Sequence, residues 1–228
     1  MDFFEDDYRS LFAKPPEQVE REVNFIATRA KRGALCLDAG CGEGLHVRGL
    51  RLRRPDLTVW GIDSSPSMVK AAAARGIEGI SLGDIAEEVI PRNDLTFFIF
   101  SSFGHRGYAK VLSNVASALR PGGLLVLDLH NAAPKAEQFK GGPITVEHLG
   151  ATIREALDKE GWWHLAIEYP SENIRDTKLK LFSAEEINQL LSARGLSKKA
   201  MFGDFEEVAY DPESSRRMIV VAEKENSG

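Results

Sequence analysis

Short apolar runs alternate with longer amphipathic stretches through the middle of the chain. Four of the apolar runs have two apolar faces, which is typical of parallel strands that helices cover on both sides. The runs are ALCLD (34–38), LTVWGID (57–63), GISLGD (79–84), DLTFFIF (94–100) and GLLVLDL (123–129). The stretches between them predict helices near 43–53, 66–75 and 106–119. This alternation predicts a doubly wound, parallel α/β sheet with right-handed crossovers.

The predicted sheet and its helices form a core that spans residues 34–131. Two segments outside this core have a different pattern. Residues 1–31 predict two helices, because apolar residues recur at helical spacing on either side of a Pro-Pro pair. Residues 132–182 are more polar and predict an irregular insertion with extended segments near 162–169 and 177–182. We expect this insertion to lie on the side of the sheet where a substrate binds.

The C-terminal segment, residues 183–228, predicts a helix followed by strands. Ser183 precedes the helical pattern and Glu186 follows three residues later, which is the spacing of a capping box. MIVVAEK (218–224) predicts a strand that closes the chain. A length of 228 residues fits one domain that contains all of these segments.

Composition and charge narrow the class of protein. Apolar residues make up 43% of the chain and charged residues 28%, as in ordinary globular domains. The net charge of −5 counts against a broad nucleic-acid surface. The acidic N-terminus and the lack of a long apolar run predict neither export nor membrane insertion. Cys36 and Cys41 lack metal-site spacing, so we expect reduced thiols, no metal and a cytoplasmic location.

A glycine-rich loop, Asp38-Ala-Gly-Cys-Gly-Glu-Gly44, joins the first predicted strand to a helix. Ligands of open parallel sheets bind beyond the carboxyl ends of the strands, and glycines let them approach the backbone. Leu45 stands where the dinucleotide fingerprint needs a small residue, and the lysine of a Walker loop is absent. The acidic flanks, Asp38 and Glu43, favour a cationic ligand over a pyrophosphate.

Acidic residues also end the next two predicted strands. Asp63 is suited to accept both hydroxyls of a ribose. Asp84 is suited to accept the exocyclic amine of an adenine, while Ile85 covers a ring face. Both carboxylates also fit the simpler role of helix N-caps. The fourth strand delivers residues 100–105 to the same edge of the sheet.

The ordered series DAGCGEG, GIDSSPSMV, SLGDI, DLTFFIFSSFGH and LRPGGLLVLDLHN resembles the motifs of class I S-adenosylmethionine-dependent methyltransferases, and the chain's end resembles a small single-domain branch of them. The resemblance implies a Rossmann-like, mostly parallel seven-stranded sheet whose last strand is antiparallel. It implies S-adenosylmethionine as cofactor and S-adenosylhomocysteine as product. Gly40 and Gly42 would lie beneath the methionine part, and Met68 would pack on the adenine or simply fill the core. The predicted cofactor-binding residues are Asp38, Gly40, Cys41, Gly42, Asp63, Ser64, Met68, Asp84, Ile85 and Ser101.

Two histidines and a tyrosine are the candidates on the acceptor side. His105 follows the fourth strand and is the candidate for acid–base catalysis, because imidazole titrates close to physiological pH. Its alternative role is to line the pocket without taking part in proton transfer. His130 ends the fifth strand, and Tyr8 lies on a helix that the resemblance places over the cofactor as a lid. Trp162 and Trp163 fit an acceptor pocket less well than an ordinary core.

The predicted function is transfer of a methyl group to a small-molecule acceptor by in-line displacement, in which the protein's main task is positioning. A methyltransferase for tRNA or protein is an alternative, supported by Arg48, Arg51, Arg53 and Arg54, which also fit a solvated helix face. A nicotinamide-dependent oxidoreductase and a non-catalytic cofactor-binding module are two further alternatives. Both a monomer and a homodimer fit the sequence.

Overall fold

The computed structural model describes residue 3 and residues 6–100, 102–105, 107–171 and 173–226. Helices and strands alternate from residue 35 to residue 130, as predicted. The helices are α1 (Asp6–Leu11), α2 (Pro16–Arg29), α3 (Leu45–Arg53), α4 (Pro66–Ala74), α5 (Tyr108–Ala118), α6 (Ala132–Glu137) and α7 (Ala184–Ser192). The strands are β1 (Leu35–Ala39), β2 (Thr58–Asp63), β3 (Ile80–Leu82), β4 (Asn93–Phe98), β5 (Leu119–His130), β6 (Ile144–His148), β7 (Ala151–Leu157), β8 (Trp162–Glu168), β9 (Ile174–Lys180), β10 (Leu196–Phe202) and β11 (Arg217–Lys224).

A seven-stranded sheet with the order β10-β11-β5-β4-β1-β2-β3 forms the centre of the fold. Strands β1 to β5 pair in parallel, and β11 is antiparallel to both β5 and β10. The predicted doubly wound sheet and its antiparallel last strand are therefore confirmed. The strand order reverses between β1 and β4, so the loops that follow these two strands border the crevice where ligands of such sheets bind.

Alternate residues of the strands enter two separate hydrophobic clusters, because successive side chains point to opposite faces of a sheet. Leu37 and Ala39 join α5 and α7 in one cluster. Cys36 joins α2, α3 and α4 in the other. Asp38 lies two residues after Cys36 in β1, so its side chain points to the same face of the sheet, which α2 and α3 cover.

The insertion after β5 is an ordered, four-stranded antiparallel sheet with the order β6-β7-β8-β9, so the predicted irregular structure is wrong. Two of its strands, β8 and β9, overlap the predicted extended segments, whereas β6 and β7 were not predicted. Ile144 and Val146 alternate with polar residues in β6, but most side chains of this strand are exposed. The apolar face of this sheet packs on Leu11 and Tyr8 of α1.

Element boundaries follow the prediction except around β5. This strand begins at Leu119, before Pro121 and Gly122, because Leu119 pairs with Asn93 and the register then shifts. The capping box of α7 is present, with the Ser183 hydroxyl accepting from the Glu186 N–H at 3.1 Å. None of the helices among the described residues combines the length and the apolar character needed to cross a membrane.

Candidate functional site

The glycine loop between β1 and α3 is held against β2 by its backbone. The N–H groups of Gly40 and Cys41 donate to the carbonyl of Ile62 at 2.8 and 3.2 Å. Gly40 has a φ of +71°, and a Cβ there would lie 2.6 Å from the Cβ of Ser102. The Ser102 hydroxyl in turn donates to the carbonyl of Ala39 at 3.1 Å. Position 40 therefore requires glycine, because the loop after β4 packs directly on it.

Asp63 joins the glycine loop to the start of α4. Its carboxylate accepts from the N–H of Gly42 at 2.7 Å and from the N–H of Ser65 at 2.8 Å. The N-cap of α4 is Ser65, whose hydroxyl accepts from the Met68 N–H. The alternative in which Asp63 only caps this helix is therefore wrong.

Two adjoining cavities open at the carboxyl edge of the sheet. The first, here called the rim cavity, measures about 710 Å³ and is lined by polar and apolar residues that include Asp63, Asp84, Ile85 and Lys178. The second, the lid cavity, measures about 260 Å³ and has mainly apolar walls from α1, the glycine loop and the four-stranded sheet. Six residues line both cavities: Gly40, Asp63, Ser64, Ser102, His105 and Thr177.

The predicted cofactor-binding residues are divided between the two cavities. Asp84 and Ile85 line the rim cavity, and the Asp84 carboxylate also accepts from the Ala86 N–H in a turn. Cys41, Gly42 and Met68 line the lid cavity. Met68 is thus placed beside the glycine loop, while Asp84 and Ile85 lie at the other cavity. Ser101 lies outside the described residues.

The two acidic flanks of the glycine loop differ in their surroundings. Glu43 forms ion pairs with Arg9 of α1 at 3.8 Å and with Arg75 at the end of α4. Its charge is therefore paired within the chain, and its side chain also lines the lid cavity. Asp38 is buried behind the loop, and its Oδ2 has no hydrogen-bond partner. Burial raises the pKa of Asp38 to about 7, although nearby His46 and Lys14 oppose the shift.

The three acceptor-side candidates all line the lid cavity. His105 lies where the two cavities meet, with its Nδ1 3.3 Å from the Thr177 hydroxyl, and burial lowers its pKa. His130 stacks edge-on against Trp163, with the ring centroids 5.0 Å apart. Its pKa is lowered to about 2, first by burial and then by Arg217 and other cations. Burial raises the pKa of Tyr8. All three side chains are therefore uncharged at neutral pH.

Several lining residues were missed by sequence analysis. Thr177, Lys178 and Leu179 lie on β9, far along the chain from the glycine loop. Phe100 lines the lid cavity with a φ of +62°, which is rare for a bulky residue and common at functional sites. Trp163 was predicted to anchor a core. It is buried in the hydrophobic cluster between α1 and the four-stranded sheet, and it also lines the lid cavity.

Among the described residues, no group of three His, Cys, Asp or Glu side chains is arranged to hold a metal.

Comparison with known proteins agrees with this geometry. The chain is 26% identical over 196 residues to the dTDP-3-amino-3,6-dideoxy-alpha-D-glucopyranose N,N-dimethyltransferase of Streptomyces fradiae, covering 78% of this chain and 76% of that protein. The CcbJ methyltransferase of Streptomyces caelestis has the same fold, with a TM-score of 0.77 at 21% identity, and the match covers 94% of this chain and 92% of that one. An S-adenosylmethionine-dependent methyltransferase of Clostridium acetobutylicum also reaches 0.77 at 15% identity, over 91% of this chain and 92% of that one.

A family described as a methyltransferase domain matches residues 11–199. The matched range starts in α1 and ends in β10, so it includes the glycine loop, both cavities and the four-stranded sheet. It also spans well over half of the chain. The chain therefore belongs to the methyltransferase domain family and is an enzyme of the class I S-adenosylmethionine-dependent superfamily, as its motif series predicts.

Proposed function

We propose that this enzyme transfers a methyl group from S-adenosylmethionine, held by the glycine loop and the rim cavity, to a small molecule in the lid cavity. The observation that carries the proposal is the shared boundary of the two cavities. There, Gly40, Ser102, His105 and Thr177 line both spaces. A donor on one side and an acceptor on the other would meet at this boundary, which is the arrangement that in-line transfer needs.

The residues of the rim cavity fit the cofactor. Gly40 lines both cavities without a side chain, Asp63 places a carboxylate where the two cavities meet, and Asp84 with Ile85 offers a carboxylate beside an apolar surface. The cavity volume of about 710 Å³ is within the range of small-molecule sites. When bound, S-adenosylmethionine supplies a methyl group that is already activated on a sulfonium sulfur.

The lid cavity sets the chemistry of the acceptor. Phe12, Phe100 and Leu165 give it apolar walls, and the three predicted acceptor-side residues add uncharged polar groups. These walls exclude water from the transfer and favour a compact acceptor with an apolar surface and a neutral nucleophilic amine or hydroxyl. The Streptomyces fradiae relative, named for an amino-sugar nucleotide, supports a small-molecule acceptor.

His105 is the residue that we propose for proton removal from the acceptor. It lies at the boundary of the two cavities, and its lowered pKa keeps the imidazole neutral and able to accept a proton. Thr177 orients the ring through Nδ1. A His105→Asn variant should still bind the cofactor but lose activity most strongly at low pH, where the acceptor carries its proton.

The decisive experiment is calorimetric titration with S-adenosylmethionine, S-adenosylhomocysteine and NAD. We expect both adenosyl ligands to bind and NAD not to bind. Asp63→Asn should abolish binding, whereas Asp56→Asn, on the exposed turn before β2, should retain it. Circular dichroism of both variants checks that they are folded. A folded wild-type protein that binds neither adenosyl ligand would overturn the proposal.

A cytoplasmic location is also part of the proposal, supported by the two free cysteines, Cys36 and Cys41. A monomer and a homodimer both remain compatible with the site, because each residue placed above comes from one chain. Cell fractionation and light scattering test these two points.

A further inference from the structure

A cluster of charged residues lies beside the glycine loop. It consists of the buried Glu22, Asp38 and His46 with the partly buried Lys14, and it is here called the charged cluster. Glu22 and Asp38 are each only 1% exposed, and His46 is 7% exposed. Burying charges costs several kcal/mol per ion before pairing offsets it, and an apolar cluster of the same volume is often at least as stable. Overall stability is therefore a weak explanation for charges at this place.

Glu22 of α2 is the fixed anion of the charged cluster. Its Oε2 accepts from Lys14 Nζ at 2.9 Å and lies 2.6 Å from His46 Nε2, and its Oε1 accepts from Gln18 at 2.9 Å. Burial alone would raise the pKa of Glu22, but the bonds and charges of His46 and Lys14 outweigh burial and lower the pKa to about 2. Because Glu22 stays ionised, the hydrogen on His46 Nε2 is fixed in place.

The other side of the imidazole faces Asp38. His46 Nδ1 lies 4.0 Å from Asp38 Oδ2, the buried oxygen that has no hydrogen-bond partner. The charged groups that act on Asp38 are His46 of α3, Lys14 before α2, Glu22 of α2 and Asp63 at the end of β2. Of these four residues, His46 and Lys14 favour the carboxylate form of Asp38, whereas Glu22 and Asp63 oppose it.

We propose that Glu22 and His46 are positioning residues that control the charge of Asp38, so that binding of the ammonium group at the amino-acid end of the cofactor releases a proton from Asp38. The proton passes to solvent, and Asp38 is left as a carboxylate opposite the bound ammonium. This inference rests on the proposed function, because it requires the cofactor to lie on the glycine loop.

The charged cluster also reaches the acceptor side of the enzyme. Lys14 lies between α1 and α2 and places its ammonium 4.8 Å from the ring centre of Phe100. Lys14 and Phe100 both line the lid cavity. A displacement of the N-terminal helices would therefore change the partners of Glu22 as well as the lid cavity. The charged cluster thus links the position of these helices to the cofactor loop.

The test is calorimetry of S-adenosylmethionine binding from about pH 6 to about pH 9, in buffers of different ionisation enthalpy. Since the Asp38 pKa is about 7, wild-type protein should release about half a proton per cofactor near neutral pH. Its affinity should fall by up to about tenfold for each pH unit below that point. Asp38→Asn should bind more weakly, with no proton release and a flat pH profile.

His46→Gln provides the sharpest comparison, because glutamine can still bond Glu22 but carries no charge. The charge of His46 lowers the pKa of Asp38, so in this variant the carboxylate of Asp38 forms only at higher pH. The affinity profile should therefore move to higher pH. Asp94→Asn is the matched control, because Asp94 pairs with Arg120 outside both cavities. Its cofactor profile should be that of wild type.

Three results would count against these claims, and they are distinguishable. Wild-type protein that fails to bind the cofactor at any pH would overturn the proposed function. Wild-type protein that binds without releasing a proton would overturn the inference and leave the proposed function standing. A His46→Gln variant that is weakened equally at every pH would show a purely structural role, which would also overturn the inference. If His46→Gln does not fold, Asp38→Asn still decides the question.

Discussion

Gly40 and Gly33 have nearly the same backbone conformation and very different surroundings. Their φ values are +71° and +70°, but a Cβ at Gly40 would meet Ser102 at 2.6 Å, whereas a Cβ at Gly33 would meet no atom within 4 Å. Gly33→Ala should therefore cost about 1–2 kcal/mol, from backbone strain alone. Gly40→Ala adds a steric clash, so we expect a larger loss of stability and loss of cofactor binding.

Urea unfolding and calorimetry measure these two effects separately. Combining Gly40→Ala with Ser102→Gly should recover part of the stability, because the clashing Cβ is removed. Equal losses for Gly33→Ala and Gly40→Ala would show that close packing of the two loops is unimportant.

His130 provides a prediction about stability and pH. Its folded pKa of about 2 lies well below the ordinary value, because burial and neighbouring cations disfavour the imidazolium. The unfolded chain therefore binds a proton that the folded chain does not. The stabilisation is complete above about pH 6.5 and is lost as the pH falls. From about pH 6.5 to about pH 4.5 this single group should lower the unfolding free energy by about 2–3 kcal/mol.

The comparison of His130→Gln with His148→Gln tests this prediction. His148 is exposed on β6, so its replacement should leave the pH dependence of urea unfolding unchanged. His130→Gln should make the decline in acid less steep by about the amount given above. An unchanged slope in His130→Gln would contradict the assigned burial of the ring.

At the scale of elements, α1 forms one wall of the lid cavity. Leu11 is 8% exposed and packs on the four-stranded sheet, and Arg9 pairs with Glu43 of the glycine loop. Leu11→Ala should loosen α1, since truncation of a buried leucine costs about 2–5 kcal/mol of local packing. Trypsin should then cleave the bond after Arg9 several-fold faster than in wild type, and S-adenosylmethionine should slow that cleavage.

Leu52→Ala is the control for this experiment, because Leu52 is 73% exposed on α3. Its cleavage pattern, followed by mass spectrometry, should match that of wild type. Equal cleavage after Arg9 in Leu11→Ala and wild type would show that α1 does not depend on this contact.

At the scale of the whole molecule, charge argues against a polynucleotide acceptor. The net charge is −5, and two arginines of the suspected basic strip have partners within the chain. Arg51 donates to the carbonyls of Val59 and Glu78, and Arg54 pairs with Asp56. We therefore expect no saturable binding of bulk tRNA at about 150 mM salt in a filter assay. Saturable binding with a steep salt dependence would support the tRNA alternative.

The sequence by itself determined the features that depend on neighbouring residues. The period of apolar residues established the α/β alternation, and spacing placed the glycine loop, Asp63 and Asp84 at the ends of strands. The capping box of α7 is equally local, since Ser183 and Glu186 are three residues apart. Such features follow from backbone geometry over a few residues, so a sequence pattern is enough to predict them.

Only the tertiary structure decided which distant residues share the site. His105 meets Thr177 across 72 positions of the chain, and Glu22 meets His46 across 24. The four-stranded sheet brings β9 to the cavities, although its first two strands, β6 and β7, were not predicted. These contacts depend on how whole elements pack, and the sequence period describes only one element at a time. The apolar pattern therefore predicted the fold and the cofactor loop, whereas packing between elements created the lid cavity and the charged cluster.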